Sequence, residues 1–115
     1  MTMTKICTRD PLFFGDAVRL GSEVEKPVAQ ARLAANQVLT DGRGEAGVWE
    51  CTPGRFQRQV MQAEYSYIIS GEGSFTAEGG QTVDFGAGDV LYFSANTHGT
   101  WDIRSTVRKT YIILA

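Results

Sequence analysis

The sequence predicts an all-β fold built from two antiparallel sheets of short strands, and three observations carry that prediction. Apolar and polar residues alternate with period two in several separate stretches. Glycine-rich turns separate those stretches at intervals of roughly 8–12 residues, the rhythm of a sandwich or barrel. Only one stretch, Pro27 to Leu39, has the composition of a helix.

From Met1 to about Lys26 the pattern is irregular, broken by Pro11, Gly15 and Gly21. Its apolar triplet Leu12-Phe13-Phe14 needs cover, from the barrel or from a partner subunit. Residues 1–40 therefore read as an N-terminal arm and residues 41–115 as the main domain, the two forming one structural unit. Between Pro27 and Leu39 the local signals conflict. Val28-Ala29-Gln30-Ala31-Arg32-Leu33-Ala34-Ala35 is rich in helix formers, and Pro27 suits a first helical turn. Everything after it speaks for sheet, so a short helix and an extended strand both fit.

Asp41-Gly42-Arg43-Gly44 is a turn signal. Ala46 to Cys51 then alternates, with Trp49 and Cys51 on one face and Val48 and Glu50 on the other. Thr52-Pro53-Gly54 ends that strand. From Phe56 to Val60 the chain alternates again, with Phe56, Arg58 and Val60 on one side and Gln57 and Gln59 on the other. Glu64-Tyr65-Ser66-Tyr67-Ile68-Ile69-Ser70-Gly71-Glu72-Gly73 reads as a buried strand that opens on a carboxylate and runs into a tight turn. Two short strands, Ser74 to Ala77 and Thr82 to Phe85, joined by Glu78-Gly79-Gly80-Gln81, read as a hairpin. Gly86-Ala87-Gly88-Asp89 turns the chain into Val90-Leu91-Tyr92-Phe93, and further strands are expected at Thr100 to Ile103 and Lys109 to Leu114.

A chain of 115 residues makes one domain with enough length for a sizeable core. A net charge of -2, with both signs interspersed, offers no field for nucleic acid or an acidic membrane. No stretch approaches the ~20 apolar residues of a membrane helix, and the first ten residues lack the apolar core of a signal peptide. A cytoplasmic setting is expected, with Cys7 and Cys51 reduced and Cys51 buried.

Glu64, six residues, then Gly71 matches the second half of the first cupin motif, and Gly88-Asp89 followed by Val90 to Asn96 matches the start of the second. More narrowly, Gly47 to Phe56, Phe85 to Asp89, Gly99-Thr100-Trp101 and Val107 to Tyr111 resemble the small cupins grouped with ureidoglycine aminohydrolase and the ethanolamine-utilisation cupins. The resemblance implies a jelly-roll barrel, commonly paired as a homodimer, and it favours an extended segment between Pro27 and Leu39. The general cupin pattern places a His-x-His pair before the glutamate. Those places hold Arg58 and Val60, or Gln57 and Gln59 on the longer spacing, and Gly99 stands where the last metal histidine would be. Of the usual four ligands only Glu64 is left. One carboxylate and two amides suit neither a transition metal nor calcium, so no metal cofactor is expected.

The expected ligand-binding set is Glu64, Gln57, Gln59, Ser66 and Trp101 on the barrel's inner wall, with Trp49 as a second stacking aromatic and His98 at the rim. Desolvation in the barrel mouth would raise the Glu64 pKa and suit it to accept a proton; in the opposite case a neighbouring Arg or Tyr holds it inert. Lys109 reads as a solvated or salt-bridged strand residue, and no catalytic residue is assigned. The expected function is binding of a small polar metabolite without a metal. The alternatives are a metal-dependent enzyme on small nitrogen compounds, similar to ureidoglycine aminohydrolase, and a structural dimeric module.

Overall fold

Among the described residues alternation is satisfied in eight strands: β1 (Val18–Leu20), β2 (Ala29–Val38), β3 (Gly44–Cys51), β4 (Gly54–Val60), β5 (Glu64–Ala77), β6 (Thr82–Gly86), β7 (Val90–Phe93) and β8 (Thr97–Leu114). The computed structural model describes residues 3–9, 11–22 and 26–115. All pairings are antiparallel. Two strands are far longer than the sequence suggests. The segments expected at Tyr65 to Ile69 and Ser74 to Ala77 are one strand, β5, and those expected at Thr100 to Ile103 and Lys109 to Leu114 are one strand, β8.

These two strands run side by side through both sheets of a jelly-roll barrel. The first half of β5 and the second half of β8 lie in a sheet with β1, β2, β3 and β7. Their other halves lie in a sheet with β4 and β6. The crossing is made where the register of β5 against β8 shifts, between Ile68 and Gly73. Gly71 sits there at φ +89°, and a Cβ on it would run into the Thr106 carbonyl. The glycines of this stretch therefore bend a continuous strand where the sequence suggests a turn.

Residues 29–38 form β2, so the helical reading of this stretch is overturned. Ala29 and Ala31 are both buried, and at Ala29 the chain of β4 passes close: a Cβ on Gly54 would overlap it. Here alanine meets a need for small side chains, and pairing with β1 and β3 overrides helix propensity. Of the apolar triplet, Phe14 lies beneath Arg32 and Arg108, 4.1 and 5.2 Å from its ring centre, while Phe13 is fully exposed. Cover is thus found for Phe14 and not for Phe13. Both arginines also hold Glu50, and Arg108 Nη1 donates to the Thr8 carbonyl, which ties residues near the start of the chain to the sheet.

The core is centred on Trp101. Its ring lies 5.2–6.4 Å from five others: Phe75 at 5.2 Å, Phe85 and Phe93 at 5.6 Å, Trp49 at 5.8 Å and Phe56 at 6.4 Å. The hairpin between β5 and β6 pairs as the sequence predicts. Cys51 is fully buried and reduced, with burial pushing its thiol up to about 12, and Cys7 is exposed and free. Among the described residues no helix is long and apolar enough to cross a membrane.

The bend makes a graded stability prediction. Gly71→Ala combines a left-handed backbone with a clash and is expected to cost more than about 2 kcal/mol. Gly79→Ala, at φ +69° in open space, should cost only about 1 kcal/mol. Urea denaturation of the two variants checks the ordering, and equal losses would contradict the bend.

Candidate active site

Along the inner face of β8, Trp101 and Ile103, then Val107, Lys109 and Tyr111, keep the strand's two-residue period on either side of the exposed Ser105. All five are buried, and Lys109 is the single charge among them, 5% exposed. Its register partner on β3 is Trp49, which brings the ammonium 4.7 Å from that ring centre. The same Nζ stands 5.1 Å from Trp101 and 6.0 Å from Phe93.

Glu64 is the first residue of β5, between Ile113 on β8 and Phe93 on β7. Only 8% exposed, it accepts a hydrogen bond from Lys109 Nζ at 2.7 Å on Oε2. Ser66, two residues on and on the same face, donates to the same oxygen at 2.8 Å. Oε1 has no partner among the described residues, although every sealed-off side-chain polar atom there does have one. This second oxygen is therefore not sealed off, and it belongs to a side chain that lines the cavity.

Burial acts to raise the Glu64 pKa, but the Lys109 charge and hydrogen bond, then the Ser66 hydroxyl and Arg58, outweigh it and leave the carboxyl below its usual range. The raised value expected from desolvation alone is thus overturned. Burial is also the largest influence on Lys109 and lowers its pKa; Glu64 opposes this without cancelling it. The resting pair is a carboxylate facing an ammonium.

The cavity beside the pair measures about 450 Å³. Trp49, Phe56, Val60, Trp101 and Ile113 give it apolar walls, and Gly15, Asp16, Val18 and Leu20 close one side, so the arm completes it. Arg58 also lines it. It stands between the buried Phe56 and Val60 on the inward side of β4, and its charge is felt at both Glu64 and Lys109. Among the described residues Arg58 has no hydrogen bond or ion pair.

The sequence-based set is thus divided. Glu64, Trp49 and Trp101 meet at the cavity, and Ser66 lies behind Glu64 as its hydrogen-bond donor. Gln57 and Gln59 do not line the barrel. Burial of Phe56 and Val60 fixes the face of β4, and the glutamines turn outward to a polar surface groove that they share with His98, the register partner of Gln59. Lys109 and Arg58 are the members that sequence reasoning passed over. Their signal is a single charge in an otherwise apolar inward series, Phe56-x-Arg58-x-Val60 and Val107-x-Lys109-x-Tyr111.

Residues 38–111 match the family described as the EutQ-like cupin domain. Solved structures agree on the fold. EutQ of Clostridium difficile superposes with a TM-score of 0.69 at 16% identity, over 86% of this chain and 75% of its own. A DUF861-family protein of unknown function from Pseudomonas syringae pv. tomato reaches 0.76 at 21% identity, over 94% of this chain and 46% of its own. A predicted oxalate decarboxylase from Thermotoga maritima reaches 0.64 at 17% identity, over 97% and 100%. At these identities each likeness carries the fold alone. No curated protein matches the chain.

Metal binding is common among cupins, but the donor set here does not suit a transition metal. The two expected histidine positions hold a cation and a valine, and Glu64 is already bound to an ammonium. At Gly99 the room for a side chain is taken by the Phe75 ring and the Thr76 carbonyl. Among the described residues no three His, Cys, Asp or Glu side chains gather around a common point.

Lys109→Ala, which strands a buried carboxylate, is expected to lower stability by about 3–5 kcal/mol, and Glu64→Gln with Lys109→Met together by much less. The acid limb follows from the same pair. Glu64 is held below the usual 4.5 when folded, so its contribution is complete above 4.5 and is lost as pH falls through the folded value. Urea titrations from neutral to acid pH should show a shallower acid limb in Glu64→Gln; an unchanged limb would contradict the pairing.

Proposed function

The chain belongs to the EutQ-like cupin family, and from that premise we propose that its barrel binds a small polar metabolite without a catalytic metal. The observation that carries this reading is the buried Glu64–Lys109 pair lining an apolar cavity with one carboxylate oxygen left open. As a stability device such a pair is weak, since apolar residues of similar volume often do as well. As a recognition device it is apt: a donor and an acceptor, fixed side by side in a largely apolar pocket, orient a polar ligand whose body rests on Trp49 and Trp101. The volume of about 450 Å³ accommodates a compact organic molecule.

A thermal-shift screen of small polar metabolites should find at least one that raises the melting temperature by several degrees in the parent protein and not in Lys109→Met. Protein purified without chelators should carry no stoichiometric Mn, Fe, Ni or Zn. An unresponsive screen defeats the binding reading, and a stoichiometric metal defeats its metal-free part.

A second role for the chain, pairing with another copy of itself, is favoured by one surface. Tyr65, Tyr67, Val90, Tyr92 and Ile112 stand half-exposed on neighbouring positions of β5, β7 and β8, on the sheet face turned away from the cavity. If two copies meet there, light scattering gives a dimer at micromolar concentration for the parent and a monomer for Tyr67→Lys with Tyr92→Lys. A monomeric parent would rule the pairing out.

A further inference from the structure

Three of the charged groups at the cavity, whose lining also includes Asp16, Arg32 and Glu45, have unused capacity and differ in chemistry. Arg58 is a cation on the inward side of β4 without a partner among the described residues. Lys109 has one oxygen partner, Glu64 Oε2, and presents its remaining charge to the Trp49 and Trp101 rings. Glu64 keeps Oε1 unpartnered among the described residues although its side chain is only 11% exposed. A free cation, a fixed electrophile and an open carboxylate oxygen beside apolar walls are the elements of proton transfer next to a carbonyl.

We propose that this cavity catalyses proton exchange at the carbon adjacent to the ketone of a small 2-oxo carboxylate. The proposal rests on the reading of the cavity as a ligand site and names its substrate class. Arg58 holds the carboxylate. Lys109 Nζ donates to the ketone oxygen. Glu64 Oε1 removes a proton from C3: the C3–H bond breaks, its electron pair becomes the C2–C3 double bond, and the carbonyl π pair moves onto the oxygen beside the ammonium. The proton then resides on Glu64 Oε1, exchanges with solvent, and returns to C3 by the reverse path. No oxidant, reductant or further reactant is needed.

The choice of a 2-oxo acid follows from the charges. A simple carboxylate placed at Lys109 would lie against the Glu64 carboxylate and be repelled, whereas a neutral ketone is not. An amine at the buried pair would meet Lys109 and Arg58, both cationic, while the other lining carboxylates, Asp16 and Glu45, belong to the arm and to β3. The anionic end of the ligand therefore goes to Arg58 and its uncharged carbonyl to the buried pair. Binding also adjusts the base. When Lys109 shares its hydrogen bonds with the ketone it stabilises the Glu64 carboxylate less, and Glu64 becomes more basic at the moment it must accept a proton.

The test is proton NMR of pyruvate and 2-oxobutyrate in deuterated buffer with the full chain, following loss of the C3 proton signal. The parent protein should speed the exchange of at least one acid tenfold or more over buffer. Glu64→Gln should return it to the buffer rate with its near-UV circular dichroism intact. Arg58→Gln should raise the half-saturating concentration at least tenfold while changing the saturated rate far less, a split that a merely structural role would not produce. If Glu64→Gln fails to fold, Arg58→Gln decides alone, since Arg58 is exposed and unpaired and its loss leaves the core intact. Saturation-transfer NMR separates the failures. Acids that bind without faster exchange overturn the catalysis and leave the ligand site standing. Acids that neither bind nor exchange overturn this substrate class, and the metabolite screen above then judges the ligand site independently. Exchange that persists in both variants arises elsewhere and also overturns the proposal.

Discussion

A carboxylate and an ammonium facing each other at 2.7 Å inside an aromatic core place demands on everything around them. Each ion loses several kcal/mol of hydration on burial, and the pair recovers this only with good geometry and further polar contacts. Ser66 supplies one such contact, and the Trp49 and Trp101 faces supply cation–π attraction on the order of 2 kcal/mol when desolvated. The geometry depends on register. Lys109 faces inward because β8 pairs with Trp49 on one side and Ile68 on the other. A slip of one residue would expose the lysine and bury Arg108 or Thr110 in its place, so the barrel's register and the ion pair specify each other.

The two bent strands explain why a pair so placed comes with a cavity. β5 and β8 each serve both sheets, and the pair lies on their halves in the sheet of β1, β2, β3 and β7. The opposite wall comes from β4, where Phe56, Arg58 and Val60 face inward. The resemblance expects metal histidines on that wall. Here Arg58 occupies one of those positions, and its charge reaches both members of the pair. Positive charge is thus delivered to the cavity by side chains on two walls, Lys109 from β8 and Arg58 from β4. Fixed cations of this kind bind and polarise oxygen without supplying open coordination positions.

Much of the fold was legible because alternation and glycine spacing are local properties. Strands β3, β4, β6 and β7 and the hairpin at Glu78–Gln81 follow from them directly. The continuity of β5 and β8 was hidden, since a bend made by Gly71 and a turn made by Gly71 have the same composition. β2 was hidden for a different reason: its alanines answer the close passage of Gly54, a tertiary demand that propensity does not see. The site was half legible. Glu64 stood out by its spacing to Gly71, whereas Gln57 and Gln59 were placed inside by alternation, which separates the two faces of a strand without saying which one is buried. Phe56 and Val60, the apolar residues of that strand, mark the buried side, and Arg58 shares it. Lys109 reads from the sequence as a solvated or salt-bridged residue, and the salt bridge is what forms; only its place between Val107 and Tyr111 marks it as buried.

The unequal use of the two Glu64 oxygens links binding to protonation. Oε2 carries both internal hydrogen bonds, and these keep the carboxyl ionised in the resting protein. A ligand that draws Lys109 away weakens the same interaction, so it must raise the affinity of Glu64 for a proton. By reciprocity, a protonated Glu64 releases Lys109 and frees it to meet the ligand. A neutral ligand oxygen entering between them need not break the pair, because the ammonium has donors to spare and Oε1 is open. On the proposed reading, the same two side chains that hold a polar molecule in the cavity also move a proton to or from it.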